Sequence, residues 1–200
     1  MPRISVVDRL TVWRERPLAV CIVALVAVAA CVVSVMVAPG PPGYFGAGLA
    51  LIAIAIAVID ARWFVIPNEL SAAGFVLGVA NAVIHAPDAI WEAAGIAALR
   101  GAVLALLFLG LRALYRRLRG RDGIGLGDVK LAGVAGAWLG WTAMPIAIEI
   151  AALSAIAAFG VRHYWGRRVF DPTLRFPFGL FLAPSIWIGW LIDVTLLVPG

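Results

Sequence analysis

The sequence predicts an all-α polytopic membrane protein of about seven transmembrane helices, and three observations carry that prediction. Of its 200 residues, 64% are hydrophobic and only 14% charged, against about 25% charged in a soluble domain. No charged residue occurs between Pro17 and Ile59, a stretch long enough for two crossings of about 20 residues each. The apolar runs are continuous rather than alternating, which reads as helices and excludes a lipid-facing barrel.

Taken in order, the apolar runs place helices at 18–38, 44–60, 70–86, 94–115, 128–143, 145–162 and 178–198. The first follows Arg14 and Arg16, the arrangement of a signal peptide, but exceeds the roughly 7–15 apolar residues of a cleaved one. It is therefore expected to be retained. Pro39, Gly40, Pro41, Pro42 and Gly43 make the turn into the second helix. The fifth and sixth share a short stretch, and Pro145 is expected to break it into two spans.

Charge fixes a direction. The N-terminus (Arg3, Arg9, Arg14, Arg16), 61–69 (Arg62), 112–127 (Arg112 to Arg121) and 162–177 (Arg162 to Arg175) are arginine-bearing. The alternate connections, 39–43, 87–93 and the turn near Pro145, hold neither Arg nor Lys. By the positive-inside rule the first set is cytoplasmic, which puts the N-terminus inside and the C-terminus outside. The net charge of +5 is thus an orientation signal, and without interleaved aromatics for base stacking it gives no reason to expect nucleic acid. The lipid bilayer is the implied partner, its anionic headgroups meeting the arginines. Trp63, Trp91, Trp141 and Trp165 fall close to span ends, as interfacial rings do.

Metal chemistry is not expected, and no cofactor is implied. His85 and His163 stand alone, without a Cys or carboxylate at ligand spacing, and no CxxC pair occurs. Cys21 and Cys31, both on the first helix, are about 15 Å apart along its axis, too far for a disulfide.

Two carboxylates stand out. Asp60 ends the second helix as it reaches the cytoplasmic side, and Asp128 opens the fifth as it re-enters from that side. Alone, each reads equally well as a solvated helix-end residue, and Asp128 as a dipole-stabilising one. At matched depth they read as a pair, because ionisable groups in a membrane segment are costly and mark functional sites. Two nearby carboxylates share one proton, so one takes a proton from water while the other protonates or polarises a carbonyl. Gly123, Gly125 and Gly127 remove side chains around Asp128, leaving room for a substrate backbone.

The segment "GIGLGDVKLAGVAGAWLG" resembles the second catalytic motif of type IV prepilin peptidases, membrane aspartyl proteases of the GxGD class. "DARWFVIPNELS", from Asp60 to Ser71, resembles their first motif, and "FPFGLFLAPS", from Phe176 to Ser185, their Pro-Phe-Gly segment opening the last helix. The likeness spans roughly residues 44–198. It implies an endopeptidase that cuts the basic leader from prepilins or pseudopilins at the cytoplasmic face of the bacterial inner membrane, serving a type IV pilus or type II secretion. Asp60 and Asp128 carry over as the catalytic pair. Residues 1–43 then form an N-terminal segment with an extra helix, and 44–200 a six-helix peptidase-like domain. The bifunctional members carry a CxxC…CxxC zinc module and N-methylate the new N-terminus; this sequence has no such module, and peptidase activity without methyltransferase activity is expected.

Supporting residues have two readings each. Lys130 either tunes the pair or holds a substrate carboxylate, or else it snorkels to headgroups. Asn68 either braces the turn through Pro67 or touches substrate. Gly179, after Pro177 and Phe178, is implied by the resemblance to allow close backbone approach. Ser71 reads as a helix cap or a packing residue. Arg100 and Glu149, each inside the outer end of its helix, are expected to form a structural ion pair. Gly74-x-x-x-Gly78 and Gly136-x-x-x-Gly140 read as helix-packing patterns. The rival readings are a presenilin-like or signal-peptide-peptidase-like intramembrane protease, a proton-coupled transporter, and a structural assembly protein. The sequence leaves the oligomeric state open.

Overall fold

The structure, a computed structural model, describes residues 17–120, 123–166 and 177–197. Within them the chain is helical throughout: α1 (Pro17–Val37), α2 (Pro41–Trp63), α3 (Asn68–Ile84), α4 (Ile90–Arg119), α5 (Leu126–Trp138), α6 (Ala143–Gly166) and α7 (Gly179–Ile192). A short 3-10 turn precedes α4, and a π-helical turn, Asp193–Leu197, continues α7. Five segments, corresponding to α1, α2, α4, α6 and α7, are long and apolar enough to cross a membrane. The protein is therefore a multi-pass membrane protein. At 17 and 13 residues, α3 and α5 are shorter.

Two boundaries moved for one reason. Pro41 and Pro42 do not belong to the turn but occupy the first positions of α2, where the missing N–H leaves no bond unmade. Likewise Pro145 does not break a helix; it lies in the first turn of α6, and the break is the extended Leu139 followed by the turn at Trp141 and Thr142.

The shortest helix is the centre of the bundle. Every residue of α5 from Leu131 to Trp138 is buried, and it packs against α3, α4 and α7. Small residues make that possible. A Cβ on Gly136 would lie 2.5 Å from the Arg100 carbonyl oxygen, and one on Gly101 2.8 Å from that of Gly133, so α4 and α5 meet backbone to backbone. On the other side Gly74 faces Val134, Gly78 faces Trp138, and the Trp138 indole N–H donates to the Gly74 carbonyl at 2.8 Å. Both small-residue patterns do pack helices, with Gly140 itself in the turn after α5.

Outermost is α1, which packs on α2 and has only Ala30 and Ser34 buried. Ser34 Oγ accepts a hydrogen bond from the Trp187 indole N–H of α7 at 2.9 Å. Cys21 and Cys31 are unpaired.

The expected Arg100–Glu149 pair does not form. Glu149 is exposed on α6, and the acid whose charge reaches Arg100 is Asp193. Asp193 also accepts a hydrogen bond from the Gly140 N–H at 3.1 Å, closing the turn where α5 stops short. Sequence spacing gave the depth of Glu149 along its helix but not the direction it faces. His85, by contrast, is a plain helix end: its Nδ1–H donates to the Asn81 carbonyl at 2.7 Å. Arg3 to Arg16, Arg121 and Arg167 to Arg175 lie outside the described residues, as do the side chains of Arg162, His163 and Trp165. Of the expected interfacial tryptophans, Trp91 and Trp141 are exposed and Trp63 is half-buried.

Candidate active site

Asp60 sits in the last turn of α2, where Phe64 in the left-handed conformation ends the helix by donating its N–H to the Asp60 carbonyl. Its side chain is 95% buried, with 5% exposure. One carboxylate oxygen, Oδ2, accepts the Leu180 N–H at 3.0 Å, with the Gly179 N–H beside it. These amides belong to the first turn of α7, whose unpaired N–H groups and dipole make an anion site. Gly179 is what lets the carboxylate in: a Cβ there would lie 2.8 Å from Asp60 Oδ2. The close approach expected at Gly179 thus has a specific object. Pro177 leads into this turn half-buried, and the Phe178 carbonyl accepts from the Phe181 and Leu182 amides.

Asp128 sits in the first turn of α5. Its Oδ2 accepts the Gly125 N–H at 3.2 Å, the capping bond of its own helix. The helix-end reading of Asp128 is therefore true as far as one oxygen goes. It leaves the other role intact, since Asp60 is among the charges that act on Asp128.

Ile66, buried at 6% exposure, lies beside both Gly127 and Gly179, the glycines next to the two carboxylates. Its Cδ1 would touch a Cβ on Gly127 at 2.9 Å and one on Gly179 at 2.7 Å. The space beside two of the three glycines is accordingly taken from within: Ile66 fills it at Gly127, and Tyr115 at Gly123. Gly123 and Gly125 are both exposed, and at Gly125 the nearest atom to a Cβ position is the Asp128 carboxylate at 3.1 Å.

Lys130 and Asn68, each given two roles by the sequence, hold one another: Lys130 Nζ donates to Asn68 Oδ1. Asn68 starts α3 directly after Pro67, and the Pro67 carbonyl accepts both the N–H and the hydroxyl of Ser71. The turn carrying Ile66 is thereby tied to the helix carrying Asp128. A further brace was invisible in the sequence. Arg112, counted as an orientation charge, donates from Nη1 to the Ile124 carbonyl at 2.6 Å and pins the loop before Asp128 to α4. Its signal was present only as one arginine among several.

Residues 47–161, more than half of the chain, match the model of the type IV leader peptidase family. The chain belongs to that family. Among curated relatives it is similar to a prepilin leader peptidase/N-methyltransferase of Burkholderia pseudomallei, 47% identical over 44% of this chain and 28% of the relative. A protein of the same name from Aeromonas hydrophila is 29% identical over 88% of this chain and 57% of the relative. The leader peptidase HopD of Salmonella typhimurium is 37% identical over 53% of this chain and 63% of the relative. The chain thus spans less than two thirds of the length of these relatives. No solved structure matches it significantly. The region shared with the family contains Asp60, Asp128, Ile66, Asn68 and Lys130; Pro177 and Gly179 lie beyond the matched residues.

Proposed function

We propose that this chain is a membrane aspartic endopeptidase that removes the basic leader from type IV prepilins or pseudopilins, with Asp60 and Asp128 activating a water between them. The observation that carries the reading is the convergence of two carboxylates from helices distant in sequence, α2 and α5, at one end of the bundle. Each is held by backbone amides through one oxygen, Oδ2, so each keeps its other oxygen for water or for a scissile carbonyl. The pair shares one proton. One member takes a proton from the attacking water as the other protonates the carbonyl oxygen, and the roles reverse when the amine leaves. A leader strand lying along exposed Gly125 presents its carbonyl to that pair.

The reading includes seven crossings in the bacterial inner membrane, with α3 and α5 as short spans, the N-terminus cytoplasmic and the C-terminus outside. The arginine asymmetry of the sequence supports this. It places the carboxylates at the cytoplasmic edge, where a leader emerges. Residues 44–200 form the peptidase-like unit and 1–43 an appended segment. The absence of a CxxC pair from this sequence supports cleavage without N-methylation by this chain.

The test is co-expression with a panel of prepilins, beside Asp60→Asn and Asp128→Asn, with the new N-terminus mapped by mass spectrometry. Cleavage at the leader boundary by the wild type, reduced at least about 10²-fold in both variants, is the expected result. Cleavage surviving either substitution breaks the pair. A cut inside the apolar segment points instead to a presenilin-like protease.

A further inference from the structure

Two helices of this chain end on the same backbone device with different residues. Helix α4 ends at Gly120, with φ 69°, whose N–H donates to the Arg116 carbonyl. Helix α2 ends at Phe64, with φ 54°, whose N–H donates to the Asp60 carbonyl at 2.9 Å. Glycine takes this left-handed conformation freely, and a bulky side chain takes it only under strain. Among the described residues Phe64 is the one non-glycine with a positive φ. Burial does not offset the strain, because Phe64 is 47% exposed.

Strain kept at a position where glycine would serve marks a residue with a role outside the fold. Phe64 is followed by Val65, which is also exposed. Ile66 then turns inward against Gly127, so this loop meets the start of α5. There Leu126, next to Gly127 and in the same first turn as Asp128, is exposed as well. Three uncovered apolar side chains therefore belong to the two segments that carry the carboxylates. A ring facing lipid can sit on an unstrained helix, as most exposed apolar residues here do. A ring tied through its own backbone N–H to Asp60 keeps a fixed offset from that residue.

We propose that Phe64 is a specificity-determining residue, whose ring, together with exposed Val65 and Leu126, receives an apolar substrate side chain flanking the scissile bond. The proposal rests on the peptidase reading above and deepens it by naming what meets the substrate next to the cut. The left-handed cap ends α2 one turn past Asp60, so Phe64 is the first side chain beyond the helix.

The experiment is steady-state cleavage, by the purified full chain in detergent, of the prepilin cut in the panel above. Its substrate versions carry Leu or Asn immediately before or immediately after the cut. With Leu at one of these positions, Phe64→Gly raises KM about tenfold, the loss of a partly buried ring, and leaves kcat within about twofold, the pattern of lost binding. With Asn at that position the wild type and Phe64→Gly have the same KM. Phe64→Asn behaves as Phe64→Gly, since Asn also tolerates the left-handed conformation. Phe64→Leu, apolar and of similar size, stays within about threefold of the wild type. Neither Phe64→Gly nor Phe64→Asn lowers the unfolding temperature, because both residues suit the cap; a lower temperature would overturn the strain on which the proposal stands. An unchanged KM in Phe64→Gly overturns the proposal. So does an equal loss with Leu and Asn at both positions, the outcome for a ring that only anchors in lipid. Those results come with a wild type that cleaves; a wild type that cleaves no prepilin overturns the peptidase reading itself, and this proposal with it.

Discussion

Lys130 donates a hydrogen bond to Asn68 across 62 positions of sequence, and so joins the two segments that carry Asp60 and Asp128. Neither residue touches the carboxylates through a described hydrogen bond. Their contribution is to hold α5 against the turn through Ile66 and Pro67.

That coupling is measurable as non-additivity. Lys130→Met and Asn68→Ala each lower leader cleavage by about fivefold, the equivalent of ~1 kcal/mol for one hydrogen bond. The double variant falls no further than either single one. Full additivity in the cycle would mean that each acts separately, for instance by touching substrate.

Gly179 and Gly127 both abut Ile66, but only Gly179 also abuts Asp60. Gly127→Ala is therefore partly rescued by Ile66→Ala, which removes Cδ1 and Cγ1 from its way and leaves the Ile66 Cβ at 3.0 Å. Gly179→Ala is not rescued, because its Cβ still meets the Asp60 carboxylate. Gly179→Ala lowers cleavage at least about tenfold, the effect of displacing a catalytic group on the order of 1 Å. Equal rescue of both by Ile66→Ala would remove the special role given to Gly179.

At Gly136 the neighbour is backbone, the Arg100 carbonyl and Gly101 Cα, which no side-chain rotation relieves. Gly136→Val forces α4 from α5 and costs about 1–3 kcal/mol or more as overpacking. Thermal unfolding in detergent shows the loss; Gly110→Val, with nothing within 4 Å of its Cβ position, leaves the melting temperature within error.

The outermost helix has a different dependence. Trp187→Phe and Ser34→Ala each remove the hydrogen bond between α7 and α1, worth about 0.6 kcal/mol in a membrane bundle. Protease access to the start of α1 increases, whereas the unfolding temperature of the remaining bundle shifts little. A cooperative loss of the whole fold would show α1 to be integral to the core.

The sequence by itself determined the helices and their order, and it pointed to one end of the bundle for both carboxylates. Long apolar runs, glycines and prolines at their ends, and arginines on alternate loops are one-dimensional signals, and they report position along the membrane normal. The motif around Asp60 to Ser71 and that around Gly125 to Lys130 were legible for the same reason. Partner choice was decided only by the tertiary structure. Arg100 faces Asp193 rather than Glu149, Asp60 is held by the start of α7, Ile66 fills the space of two glycines, and Lys130 finds Asn68. Such choices depend on how each helix is rotated about its axis. In a soluble protein an apolar stripe reveals that rotation, but lipid is as apolar as the core. The most apolar span here, α1 with mean hydropathy 3.1, is also among the least buried. When both the inside and the surroundings are oil, only close packing of small residues and the pairing of a few polar groups fix which face turns inward.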